Sequence, residues 1–170
     1  MLGVFQHIRR LQGAPAIILM VAAFTAATAM SATGDVIITE VMFNPDGDEN
    51  AREFVEICNT GDDTVFLEGW MISDGEGTDV IVSESGRWDL PPAGYAVVFD
   101  PDYFTAGEPY DGIPETALLL TVDDRAIGSR GLSNSTAERV TLIDAAGDTV
   151  SVVSYDLSCP AGHSWERLVA

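Results

Sequence analysis

The 170-residue chain contains no lysine; its eight basic side chains are all arginine, set against 27 acids for a formal net charge of −19. A stripe of cations facing phosphates cannot be assembled from so few bases, so binding to DNA, RNA or an anionic lipid surface is disfavoured. Histidine is almost missing too. Apart from His7 in the N-terminal stretch, His163 is the one imidazole through which a Ser-His-Asp or Cys-His arrangement would have to pass. It sits in PAGHSWER close to the chain end, a position that offers it no catalytic role. Two cysteines 101 positions apart and one histidine do not make a zinc site. An enzyme needs an activated nucleophile, a metal centre or a tuned carboxylate pair, and the supply of each is poor. No catalytic residue is assigned. With 27 acids, close carboxylate pairs arise by chance, so a small hydrolase is only the third reading of the chain.

Long hydrophobic runs are confined to the start. Arg9 and Arg10 precede an apolar run over 14–27, and small residues then offer cleavage after Ala29 or Ala32. That is the layout of a secretory signal over 1–32. The alternative, an uncleaved anchor, conflicts with a run shorter than the ~20 residues a span needs and interrupted by Pro15. The protein is therefore expected to be secreted or held at the cell surface, with no membrane contact beyond this segment. Removing the segment takes away two arginines and no acid, since the first acid is Asp35. The remaining domain, 35–170, is large enough for one real core and too small for two.

What is present after the signal is a series of short apolar runs rich in Val, Ile, Phe, Tyr and Trp, separated by Gly, Pro, Asp and Asn clusters. No window sustains a helical apolar stripe. The spacing predicts strands over 36–43, 53–59, 64–67, 70–73, 79–83, 95–99, 117–122, 139–143 and 149–155, with 164–168 closing the set. This is an all-β pattern, and a β-sandwich is expected. AAGDT at 145–149 places Gly147 where a hairpin turn needs positive φ. Within 53–59, Val55 and Ile57 fall on one face and Phe54, Glu56 and Cys58 on the other. The acids are expected mainly at turns and on the surface. Glu40 and Glu56, inside apolar strands, are expected to accept hydrogen bonds from backbone or arginine groups, and Trp70 to be core. The weakly patterned segment 100–115, with two tyrosines, a phenylalanine and three prolines, reads as a connection between sheets whose aromatics cap the core, or else as a partner-contacting loop.

Two further sites can be named. Asp46, Asp48 and Asn50 stand two apart like the start of an EF-hand loop, but Ala51 replaces the sharp-turn glycine and Ile57 the bidentate glutamate. An irregular calcium site built from Asp46, Asp48 and Glu49 remains the alternative to a solvated loop; otherwise no metal and no cofactor is expected. Cys58 and Cys159 are an even pair in an exported chain, so one disulfide and two free thiols are both open.

ITEVMFNP at 38–45, EFVEICNTGDDTVFLEGWMISDGEG at 53–77, LPPAGYAVVF at 90–99, GLSNSTAERVTLIDAAGDTV at 131–150 and SWER at 164–167, taken in this order and spacing, resemble the lamin tail domain family. The resemblance implies an immunoglobulin-like β-sandwich used as an interaction or structural module, found in nuclear lamins and in exported prokaryotic proteins, alone or beside hydrolases and adhesion modules. It implies no catalytic residues. The chain lacks the coiled-coil rod and basic surface of the nuclear branch, which argues against filament assembly and chromatin binding. An exported, non-catalytic module binding a protein or cell-surface partner is the first reading. An accessory domain of a larger extracellular hydrolase or adhesin is the second, with a last strand or downstream module beyond Ala170 left open.

Overall fold

A computed structural model describes residues 35–107 and 110–167; the predicted signal over 1–32 lies outside the described residues. Among the described residues eleven strands carry the fold: β1 (Val36–Met42), β2 (Phe54–Asn59), β3 (Val65–Phe66), β4 (Met71–Ser73), β5 (Thr78–Val82), β6 (Asp89–Leu90), β7 (Tyr95–Phe99), β8 (Leu118–Val122), β9 (Glu138–Ile143), β10 (Thr149–Tyr155) and β11 (Trp165–Glu166). One 3-10 turn, Glu49–Ala51, and one short helix, α1 (Asp102–Thr105), complete the elements. Among the described residues no helix is long and apolar enough to cross a membrane. Each predicted strand is present, most with bounds within a residue or two, and the pattern is all-β as expected.

The large sheet runs β10-β9-β4-β5-β8-β7-β2-β1-β11, with β3 and β6 paired apart from it. Strand β5 bridges its two halves, pairing with β4 through Thr78–Val80 and with β8 through Ile81 and Val82. The sheet then folds back on itself. The amide of Ile38 in β1 donates to the Ser151 hydroxyl of β10 at 3.1 Å, and the Arg167 guanidinium donates to the Val152 carbonyl at 3.1 Å.

Alternation along the strands sorts the side chains. Val55 and Ile57 of β2, Ala96 and Val98 of β7, and Leu118 and Leu120 of β8 point into the space between the halves, where they meet Ile72, Val140, Leu142 and Val153. Trp70 lies in this core at 2% exposure. Phe43 and Tyr155 stack in it with ring centroids 4.2 Å apart. Turn chemistry follows the sequence. Asn59 ends β2 by accepting from the Gly61 amide and donating to the carbonyls of Asp63 and Leu90. In the β9–β10 hairpin, Asp144 accepts from the amides of Ala146 and Asp148, and Gly147 takes φ 89° as predicted.

The segment after β7 departs from its expected role. Strands β7 and β8 are adjacent and parallel, so their connection must run back along the full strand length, which takes a dozen or more residues. It therefore joins neighbours in one sheet rather than crossing between layers. Its aromatics do not cap the main core but build a second cluster on the outer face, over Val97 and Phe99. Tyr103 stacks on Phe99 at 3.7 Å, and Tyr110 meets Phe54 edge-on at 5.4 Å while its hydroxyl donates to the Arg52 carbonyl.

Candidate functional site

Several acids are neither at the surface nor at turns in the ordinary sense. Residues 123–133 form an irregular loop after β8, and side-chain carboxyl groups hold its backbone. Asp100 accepts from the Ile127 amide at 2.7 Å, Asp79 from Gly128, Asp74 from Ser129 at 2.8 Å, Glu53 from Leu132 at 2.9 Å and Glu138 from Ser133 at 2.9 Å. Glu53, Asp74, Asp79 and Asp100 are all buried. Most acids do sit at turns or on the surface as expected, and these four are among the exceptions. A loop without ladder partners must satisfy its N–H groups some other way, and carboxylates accept them strongly. The cost of withdrawing these carboxyls from water appears in their titration. Burial pushes Glu53 up to about 9 and Asp100 up to about 7, and it also raises Asp79. Asp100 Oδ2 is buried without a hydrogen-bond partner.

The calcium candidates do not face one another around a common point. Asp46, Asp48 and Glu49 are exposed on the loop leading into the 3-10 turn. The Asp46 carbonyl accepts from Arg52 at 2.9 Å, and the Glu49 carboxylate accepts from the Asn134 side-chain amide. Among the described residues no three His, Cys, Asp or Glu converge as ligands would. Cys58 and Cys159 are both free thiols. Cys58 is buried on the outward face of β2 beside Tyr95, whereas Cys159 packs against the main core and donates to the Ser164 carbonyl. His163 is exposed, with its Nδ1 3.3 Å from the Ala161 carbonyl.

A substantial opening lies on the outer face of β1, β2 and β7. It is a groove of about 600 Å³ whose floor is Met42, Phe54, Val97 and Phe99 and whose far wall is Tyr110, Ile113 and Pro114 from the β7–β8 connection. Glu40, Glu56 and Asp111 line it as well. Glu40 stands opposite Glu56 across β1–β2 and opposite Glu166 across β1–β11, so three glutamates cross the strands in one row. The shift in register between Ile38 and Glu40 brings Thr39 within reach of this row. Its hydroxyl donates to Glu56 at 2.6 Å, and the Ser164 side chain bonds to Glu40. Backbone or arginine donors were expected for both glutamates; side-chain hydroxyls, Thr39 on Glu56 and Ser164 on Glu40, bond to them here. Burial raises the Glu40 pKa, and Glu56 and Glu166 raise it further against the Ser164 bond. The sequence showed the apolar alternation of these strands. It did not show the groove, because the parallel pairing that creates its far wall is non-local.

A two-layered, folded-over antiparallel sheet with one parallel pair, a central aliphatic core and loop-borne polar clamps defines an immunoglobulin-like β-sandwich. Residues 29–156 match the family profile described as Lamin Tail Domain. That is most of the chain, and the chain belongs to this family. No curated protein matches it.

Proposed function

We propose that the domain is an exported, non-catalytic module that binds a protein or cell-surface partner through its outer face. The observation that carries this reading is the groove lined by the part-exposed Phe54, Tyr95, Ile113 and Pro114, with carboxylates beside them, on an otherwise well-packed sheet. The acids that could have served in catalysis support the reading in another way. Glu53, Asp74, Asp79, Asp100 and Glu138 each give an oxygen to a backbone amide of one loop, which is a structural use of carboxyl groups. His163 is exposed with its Nδ1 against the Ala161 carbonyl, and among the described residues no nucleophile is bonded to it. Export rests on the basic-apolar-small layout of 1–32 and fits a lysine-free, acidic surface that stays soluble by self-repulsion.

The test combines binding and turnover. Labelled chain is applied to intact cells of the producing organism and to their wall fraction, while a panel of ester, phosphate and glycoside substrates is assayed with the same preparation. Saturable retention without turnover is expected. Hydrolysis that disappears in His163→Ala would replace this reading with an enzyme, and non-saturable or absent retention would remove the binding role.

A further inference from the structure

The groove does more than expose apolar surface: it sets that surface against uncompensated negative charge. Neighbouring strands lie about 4.8 Å apart, so the row Glu56–Glu40–Glu166 spans roughly 10 Å, with like charges directly opposite across both strand pairs. Such pairs destabilise a sheet. Relief from within the protein is missing. Among the described residues the one ion pair joins Arg130 to Glu76, and neither lines the groove. No arginine lines the groove and the chain has no lysine, so a partner is the source of a cation placed on this row.

The chemistry of that cation is constrained by its surroundings. A bare metal ion would gain nothing from Phe54, Val97 and Phe99, and no three carboxylates here converge on one point. An anionic lipid surface is repelled by the same glutamates. A side chain with an apolar stem and a charged head uses both parts, because the stem covers the floor and the head reaches the carboxylates. Arginine fits a carboxylate in paired hydrogen bonds and can also lie on aromatic faces, which Phe54 and Tyr110 supply. At about 600 Å³ the groove also has room for a bulky apolar group beside the cation. Tyr95, 44% exposed at one end of the groove, extends the apolar path along β7.

We propose that the groove receives a short linear segment of a partner protein that carries an arginine or lysine beside a bulky apolar side chain, with the apolar group against Phe54 and Ile113 and the cation on Glu40 and Glu56. The inference rests on the reading of the domain as an interaction module and names the kind of partner it fits.

The probe is a fluorescein-labelled nonapeptide with Phe-Arg-Leu at its centre and Gly-Ser flanks, titrated against the purified chain by anisotropy. Two counterparts replace the centre by Phe-Glu-Leu and by Gly-Arg-Gly. The expected order is clear binding of Phe-Arg-Leu, weakening of about tenfold or more for each counterpart, and loss of affinity as sodium chloride is raised. Glu40→Gln/Glu56→Gln should weaken Phe-Arg-Leu by about tenfold and reduce the salt dependence, with a melting temperature no lower than the wild type's showing that the fold is intact. Amide exchange should slow on peptide addition at 54–56, 95–99 and 110–114. Equal binding of Phe-Arg-Leu and Phe-Glu-Leu, no binding of any peptide, or calcium displacing the peptide far better than sodium at equal ionic strength would each overturn the proposal. Retention of the chain on cells that is indifferent to Glu40→Gln/Glu56→Gln would sink the groove while leaving the interaction module standing. Absence of both peptide binding and retention would sink both.

Discussion

Glu53 Oε2 accepts the backbone N–H of Leu132 at 2.9 Å, joining two residues 79 positions apart in the sequence. The contact closes the far end of the loop that Asp100, Asp79 and Asp74 also hold. Gly131 makes it sterically feasible, since a Cβ there would stand 2.8 Å from Glu53 Oε2 on a backbone with φ +91°. Because burial keeps the Glu53 carboxyl neutral up to about pH 9, what the loop needs is an oxygen acceptor rather than a charge. Glu53→Gln preserves that acceptor and should change stability by less than about 1 kcal/mol at pH 7, whereas Glu53→Ala leaves the Leu132 amide unpaired and should cost about 2–4 kcal/mol. Urea unfolding of the two variants checks this. Equal losses would mean that the amide contact contributes little.

Stability should fall as pH rises. Burial pushes Asp100 up to about 7 and Glu53 up to about 9, so the native state holds these protons more tightly than the unfolded chain, whose carboxyls titrate near about 4. Their contribution is fully present below that ordinary range. It is lost between about pH 4 and 7 for Asp100 and between about pH 4 and 9 for Glu53. Melting temperatures at constant ionic strength should therefore decline from pH 5 to 9. Asp100→Asn, neutral at every pH, should flatten the decline below pH 7 and gain roughly 1–3 kcal/mol on the wild type at pH 8. A melting temperature that climbs from pH 5 to 8 would contradict the assignment of these two acids.

The strands were legible because alternation at period two is a local signal. Val55 and Ile57 against Phe54 and Glu56 show it within a few residues. Strand β6, only Asp89–Leu90, was not legible, since two residues carry no period and are extended by pairing with Val65 and Phe66. The one-turn helix Asp102–Thr105 was missed for the same reason. The buried acids were hidden more deeply. Sequence reasoning places Asp and Glu in water, and the amides that make Glu53 and Asp100 tolerable inside come from Leu132 and Ile127, far along the chain. The groove depends on β7 and β8 being parallel neighbours, which no spacing within either strand announces.

Trp70 anchors the main core, at 2% exposure between β3 and β4. Its carbonyl accepts from Ile81 and its amide donates to Leu67, so the backbone is pinned while the indole fills the interior. Trp70→Ala should cost about 3–5 kcal/mol by loss of buried area and the cavity left behind. A loss below about 1 kcal/mol in chemical denaturation would show that the site collapses around the missing ring.

The two thiols should stay separate. Cys58 alternates with Val55 and Ile57 and so faces outward beside Tyr95, while Cys159 packs on the main core. A bridge would have to pass through the sheet or reorient β2, which the short reach of a disulfide forbids. Mass spectrometry of non-reduced protein after alkylation in denaturant should find two modified cysteines and no bridge. In the folded state Cys159, only part-buried, should label ahead of Cys58, whose thiol burial holds above its usual pKa. Recovery of a Cys58–Cys159 peptide pair would contradict this arrangement.

Calcium provides the last test, at Asp46, Asp48 and Glu49. A shared ion would need their carboxylates to turn toward one point, but Glu49 is engaged by Asn134 and the loop is fixed by Arg52 on the Asp46 carbonyl. Pulling Glu49 away would break a contact that ties this loop to the neighbouring 129–136 stretch. Suppose a site of the extracellular kind formed nonetheless, with a dissociation constant of about 1 mM. At ten times that concentration linkage would add about 1.4 kcal/mol, enough to raise the melting temperature by about 3–6 °C in a domain of this size. The expected result is no such rise: calcium chloride and sodium chloride of equal ionic strength should give the same melting temperature within error, and Asp46→Asn/Asp48→Asn should leave both unchanged. A calcium-specific increase that vanishes in the double variant would convert this solvated loop into a metal site.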